Sequence, residues 1–153
     1  MSRSAPAALA VIIVLGVCSV VYAHELQPGA LALRQVAKDR YEVTWRAPFY
    51  LSRPHPAKLR LPDNWQTIGE PTVRQLPDSN LHRRIVAVDG ETINGSIVGF
   101  PGLEGTITDV FVRISRLDGT TSSQIVRPGK PYVVLRGERP WYVSSAEYLS
   151  VGF

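Results

Sequence analysis

Tyr41-Glu42-Val43-Thr44-Trp45-Arg46 alternates apolar and polar residues without a break. A period of two gives a strand with one face buried and one face wet. Tyr41, Val43 and Trp45 belong to the buried face, and Glu42, Thr44 and Arg46 to the wet one. Upstream, Gly29–Val36 places Leu31 and Leu33 on one face, and Lys38-Asp39 joins the two strands as a tight connection. Downstream, the stretch from Ala47 to Pro62 is punctuated by Pro48, Pro54, Pro56 and Pro62. Lys58–Leu61 fits a short edge strand within it, because proline is tolerated near edges.

Further strands are expected at Thr72–Leu76, Arg83–Asp89, Thr92–Val98 and Tyr132–Arg136. The strongest local signal is a hairpin. Thr106–Leu117 carries Ile107, Val110, Phe111, Val112 and Ile114, Asp118-Gly119 follows, and Thr120–Val126 returns. A two-residue Asp-Gly loop suits a type I′ turn, which needs positive φ at both central residues. Eight or nine short strands with frequent turns indicate an all-β chain, an antiparallel immunoglobulin-like β-sandwich over residues 24–140.

The two ends differ from this pattern. Arg3 precedes an apolar run from Ala5 to Val20, and Val21-Tyr22-Ala23 closes it with small residues where a signal peptidase cuts. Residues 1–23 are therefore expected to be a signal helix that is removed on export. At the far end, Ser144-Ser145-Ala146-Glu147 fits a capping box, and Tyr142, Ala146, Leu149 and Phe153 recur at helical spacing. Residues 141–153 are expected to begin a short, membrane-directed helix that is truncated. Trp141-Tyr142 fits either an aromatic belt at a membrane interface or a packing pair at the domain edge.

Removing residues 1–23 from 153 leaves 130, the size of one domain with one core. Sixteen Lys+Arg then face 13 Asp+Glu, and the lysines are Lys38, Lys58 and Lys130 alone. Along the chain these cations are scattered, which speaks against a nucleic-acid partner. The sole cysteine, Cys18, lies in the signal, so the remaining chain is stabilised without a disulfide.

Chemistry-bearing residues are few. Cleavage after Ala23 makes His24 the new N-terminus, whose α-amine and imidazole can chelate copper or nickel together. Such a site needs a second histidine, and His55 and His82 are the available ones. His55 lies between Pro54 and Pro56, and His82 precedes Arg83-Arg84. No nucleophile elbow, no cysteine nucleophile outside the signal and no His-Glu-x-x-His occurs. Glu104 and Asp109 are close in sequence and better explained as turn and register residues than as a glycosidase pair. Gly99, Gly102 and Gly105, with Pro101, supply turn chemistry. Asn94-Gly95-Ser96 is a glycosylation sequon by pattern. The residues thus predict a non-enzymatic protein.

Four segments together carry a family resemblance. They are His24-Glu25-Leu26-Gln27-Pro28-Gly29-Ala30-Leu31-Ala32-Leu33, Tyr41–Pro48, Gly102–Ile114 and Glu147-Tyr148-Leu149-Ser150-Val151-Gly152-Phe153. In this order and spacing they resemble the N-terminal extracytoplasmic portion of HupE/UreJ-type bacterial membrane proteins. The resemblance implies a β-rich exported domain in the periplasm, followed in the family by transmembrane helices linked to nickel or cobalt supply for hydrogenase and urease. It implies a membrane or membrane-protein partner. The family's metal path would begin beyond Phe153, so the resemblance transfers no functional residue to this sequence. The competing expectation is a soluble periplasmic copper- or nickel-binding protein that uses His24.

Overall fold

A computed structural model describes residues 26–90 and 92–137. The expected signal helix, His24, and the expected helix at 141–153 with its Trp141-Tyr142 pair lie outside the described residues. Those described are all-β: β1 (Gly29–Ala37), β2 (Arg40–Pro48), β3 (Gln66–Gln75), β4 (Ser79–Ala87), β5 (Ile97–Gly99), β6 (Val110–Ser115), β7 (Thr121–Val126) and β8 (Tyr132–Val134). A single 3-10 turn, Leu103–Gly105, interrupts them.

Six strands make one sheet in the order β3-β4-β2-β1-β6-β7, and β5 pairs with β8 in a second. The sheet is mixed, which corrects the expectation of a purely antiparallel one. β1 runs antiparallel to β2 and parallel to β6, with Leu31 beside Val112 and Leu33 beside Ile114. A parallel pair needs a long crossover. The chain from Lys38 to Asp109 supplies it by building β2, β3, β4 and β5 before returning to the far side of β1.

Alternation along β2 is as the sequence dictates. Tyr41, Val43, Trp45 and Ala47 are buried, and the residues between them are half-buried. They meet Leu31, Leu33, Val86, Val110, Val112 and Ile114 of the same sheet face, and Val98, Phe100, Leu103, Val133 and Leu135 from the layer of the second sheet. Burying each such side chain contributes about 1.5–3 kcal/mol. Trp65 joins this core at 7% exposure, and its indole N–H has no hydrogen-bond partner. At one edge Gln124 of β7 ties the layers together. Its amide donates to the Val134 carbonyl at 2.9 Å and accepts from the Arg136 N–H at 3.2 Å.

Four local expectations change. β3 spans ten residues rather than starting at Thr72, because a bulge between Ile68 and Thr72 absorbs Gly69 and Pro71. Every residue of β3 is exposed, as suits an outermost strand, the position where proline is tolerated. Lys58–Leu61 forms no ladder: Arg60 exchanges two 2.9 Å backbone bonds with Gly99 as an isolated bridge. In Thr92–Val98 a turn at Asn94-Gly95, with Gly95 at φ +85°, comes first, and the strand begins only at Ile97.

The Asp118-Gly119 turn also differs. The Arg116 N–H bonds the Thr120 carbonyl, so the loop holds three residues, Leu117 to Gly119. Only Gly119 has positive φ, and the Asp118 carboxylate accepts the Thr120 N–H at 2.8 Å. This is the type I turn with a left-handed third residue, which spares Asp118 the conformation that type I′ demands.

Candidate functional site

His55 sits in the loop after β2. There Tyr50 and Arg53 close a tight turn with backbone bonds of 2.8 and 3.0 Å. Its central residues, Leu51 and Ser52, both take the left-handed region, at φ +50° and +61°. Pro54 and Pro56 then hold His55 inward at 8% exposure. The Trp45 ring lies edge-on 6.5 Å away and the Tyr50 ring 5.8 Å away.

Its hydrogen bonds fix the tautomer. The Ala57 N–H donates to Nδ1 at 3.1 Å, so Nε2 carries the proton and donates to the Thr108 hydroxyl at 3.1 Å. The Thr108 hydroxyl then donates to Thr106 Oγ1 at 3.2 Å, and Thr106 donates to the Leu103 carbonyl at 2.8 Å. Both ring nitrogens are engaged, and in this arrangement neither offers a lone pair to a metal. His55 locks the Pro-rich loop onto the segment leading into β6.

Burial holds the His55 imidazole below its ordinary 6.5. Burial, then Arg84, does the same to His82. In both cases the unfolded chain takes up a proton more readily than the folded one. Stability is therefore complete above about pH 6.5 and falls as pH drops below it. Urea midpoints measured at pH 7.5 and pH 5.5 are expected to fall on acidification in the parent chain, and to fall less in His55→Gln. An equal loss in both would remove His55 from this role.

His82 is placed elsewhere, half-buried on β4 with Trp45 and Val73 as its strand partners. Among the described residues, no group of three or more His, Cys, Asp or Glu side chains gathers as a metal site. Glu104 and Asp109 serve the backbone instead: the Glu104 carboxylate accepts the Gly102 N–H at 2.9 Å, and the Asp109 carbonyl accepts the Gly29 N–H at 2.9 Å. In the sequon, Asn94 Oδ1 accepts from Arg116 at 3.0 Å.

The outer face of the large sheet is the feature that the sequence did not disclose. Strand register aligns Leu81, Arg46, Ala30, Phe111 and Ile125 in one row, with Arg74 at its β3 end. The next row runs Thr72, Arg83, Thr44, Ala32, Arg113 and Ser123. A third runs Ile68, Ile85, Glu42, Arg34, Ser115 and Thr121, and Arg40 lies beyond it on β2. Cations scattered in sequence are thus gathered: Arg34, Arg40, Arg46, Arg74, Arg83 and Arg113 share this face with Glu42, and the one other carboxylate of these strands is Glu70, in the β3 bulge.

Glu42 bonds Arg83 and, at 3.2 Å, Arg34. Burial opposes its ionisation, but the two arginines outweigh burial and hold the carboxyl below its usual value. Arg46 bonds Asp78 at 2.8 Å from the margin of the sheet. Arg40, Arg74 and Arg113 make no ion pair among the described residues. Scanned against protein-family models and curated proteins, the chain matches none.

Proposed function

We propose that the chain is a non-catalytic, exported binding domain, similar to the periplasmic head of a HupE/UreJ-type membrane protein. Its role is to dock a membrane partner or cover the periplasmic mouth of a unit that supplies nickel or cobalt. One observation carries this reading. The internal segments of the resemblance fall on adjacent strands: Gly29–Leu33 on β1, Tyr41–Pro48 on β2, and Gly102–Ile114 on the 3-10 turn and β6. β2, β1 and β6 are neighbours in the sheet. The likeness therefore follows a contiguous unit of structure instead of isolated turn words.

The same segments support an immunoglobulin-like sandwich as the finer description. Their inward residues face the layer of β5 and β8 across one core, which is how two sheets share a sandwich interior. A cell deprived of this gene is expected to accumulate less nickel or cobalt when external metal is scarce, and to recover with the intact chain. Unchanged metal content in the deletion strain would overturn the reading.

A further inference from the structure

We propose that the outer face of the six-stranded sheet is a docking surface for an anionic phospholipid membrane. The inference stands apart from metal supply, since it needs only the face itself. Six arginines occupy five strands, β1, β2, β3, β4 and β6. The face spans about 24 Å across its six strands. Guanidinium groups bind phosphate oxygens in bidentate fashion, which a lysine does not.

Geometry selects a lipid surface. The centre of the face is lined by Ala30, Ala32 and Thr44, so short side chains lie between its arginines. Phosphates spread over a bilayer can be reached by cations spread over a broad face. Exposed apolar residues border the arginines on two sides: Phe111 and Ile125 on β6 and β7, and Ile68 and Ile85 on β3 and β4. Such residues enter the headgroup boundary when a protein lies on a membrane. A single-stranded nucleic acid would need aromatic platforms interleaved with the cations, and Phe111 is the sole aromatic residue of these rows. A second copy packed face to face would set arginine against arginine.

The test uses the full chain and phospholipid vesicles, either phosphatidylcholine alone or with about one-third phosphatidylglycerol. Binding to the neutral vesicles measures what residues 1–23 and the exposed apolar residues contribute, and the excess on anionic vesicles measures the arginines. That excess is expected to collapse in about 0.5 M salt. Arg40→Gln, Arg74→Gln and Arg113→Gln combined are expected to weaken it about 100-fold, near fivefold per arginine. Lys58→Gln with Arg60→Gln, in the layer of the second sheet, should change it less than about threefold.

Undiminished anionic binding by the triple variant overturns the proposal. So does equal weakening by the control pair, which would make net charge the cause. Tighter binding of an oligonucleotide than of vesicles, lost in the same triple variant, would assign the face to nucleic acid instead. Metal accumulation and vesicle binding are separate readouts, so failure of either leaves the other interpretable.

Discussion

Trp45→Ala is expected to destabilise the domain by about 3–5 kcal/mol, the cost of emptying an aromatic site in a well-packed core. Trp45 is 3% exposed. Its ring lies 5.3 Å from Phe100, tilted at 50°, and edge-on to His55. The indole also presses against Gly29: a Cβ added there would lie 2.6 Å from the ring. Trp45 therefore touches β1, the His55 loop and the layer of β5 at once, and no single neighbour can collapse into the space it leaves. A domain has about 5–15 kcal/mol to lose, so the variant falls near the edge of folding. Its thermal midpoint should drop by about 10–25 °C. Trp45→Phe keeps the contact with Phe100 and should lose less than half as much. A cost of under about 1 kcal/mol for the alanine variant would show that the site relaxes, which these contacts do not allow.

The position of Trp45 was legible from sequence because its environment is periodic. Alternation from Tyr41 to Arg46 fixed which face is buried, and Leu31 and Leu33 followed the same rule. What was not legible depends on register between distant segments. β3 carries no period because both its faces are exposed, and its Gly69-Glu70-Pro71 centre looks like a turn. The partner of His55 is Thr108, 53 residues away, and nothing local to either residue announces the bond. The arginine face has the same cause. Arg83 and Arg113 lie in one row only because β4, β2, β1 and β6 pair in that order, with β1 and β6 parallel. Charge looks scattered along a chain whenever the strands that gather it are not consecutive.

Gly102→Ala is the second large expected effect, and it probes how the His55 loop is held. Gly102 lies at φ +95°, where any L side chain is disfavoured. A Cβ there would also sit 2.3 Å from the Pro56 carbonyl oxygen and 2.9 Å from its carbon. These are backbone atoms, so no rotamer change relieves the overlap. Either the Leu103–Gly105 turn lifts away or residues 55–57 move. Both outcomes strain the bond from the Lys58 N–H to the Pro101 carbonyl and the path from His55 through Thr108 and Thr106 to Leu103. The conformational cost of about 1–2 kcal/mol adds to an overpacking cost of about 1–3 kcal/mol. Gly119→Ala separates the two. Gly119 has φ +85° but open space around it, so that variant bears the conformational cost alone. In urea, Gly102→Ala is expected to lose about twice as much stability as Gly119→Ala. It should also lose the acid sensitivity assigned to His55, because a displaced loop no longer buries the imidazole. Equal midpoints for the two glycine variants would mean that Pro56 yields freely, and the close approach of these two loops would then contribute nothing to holding His55 in place.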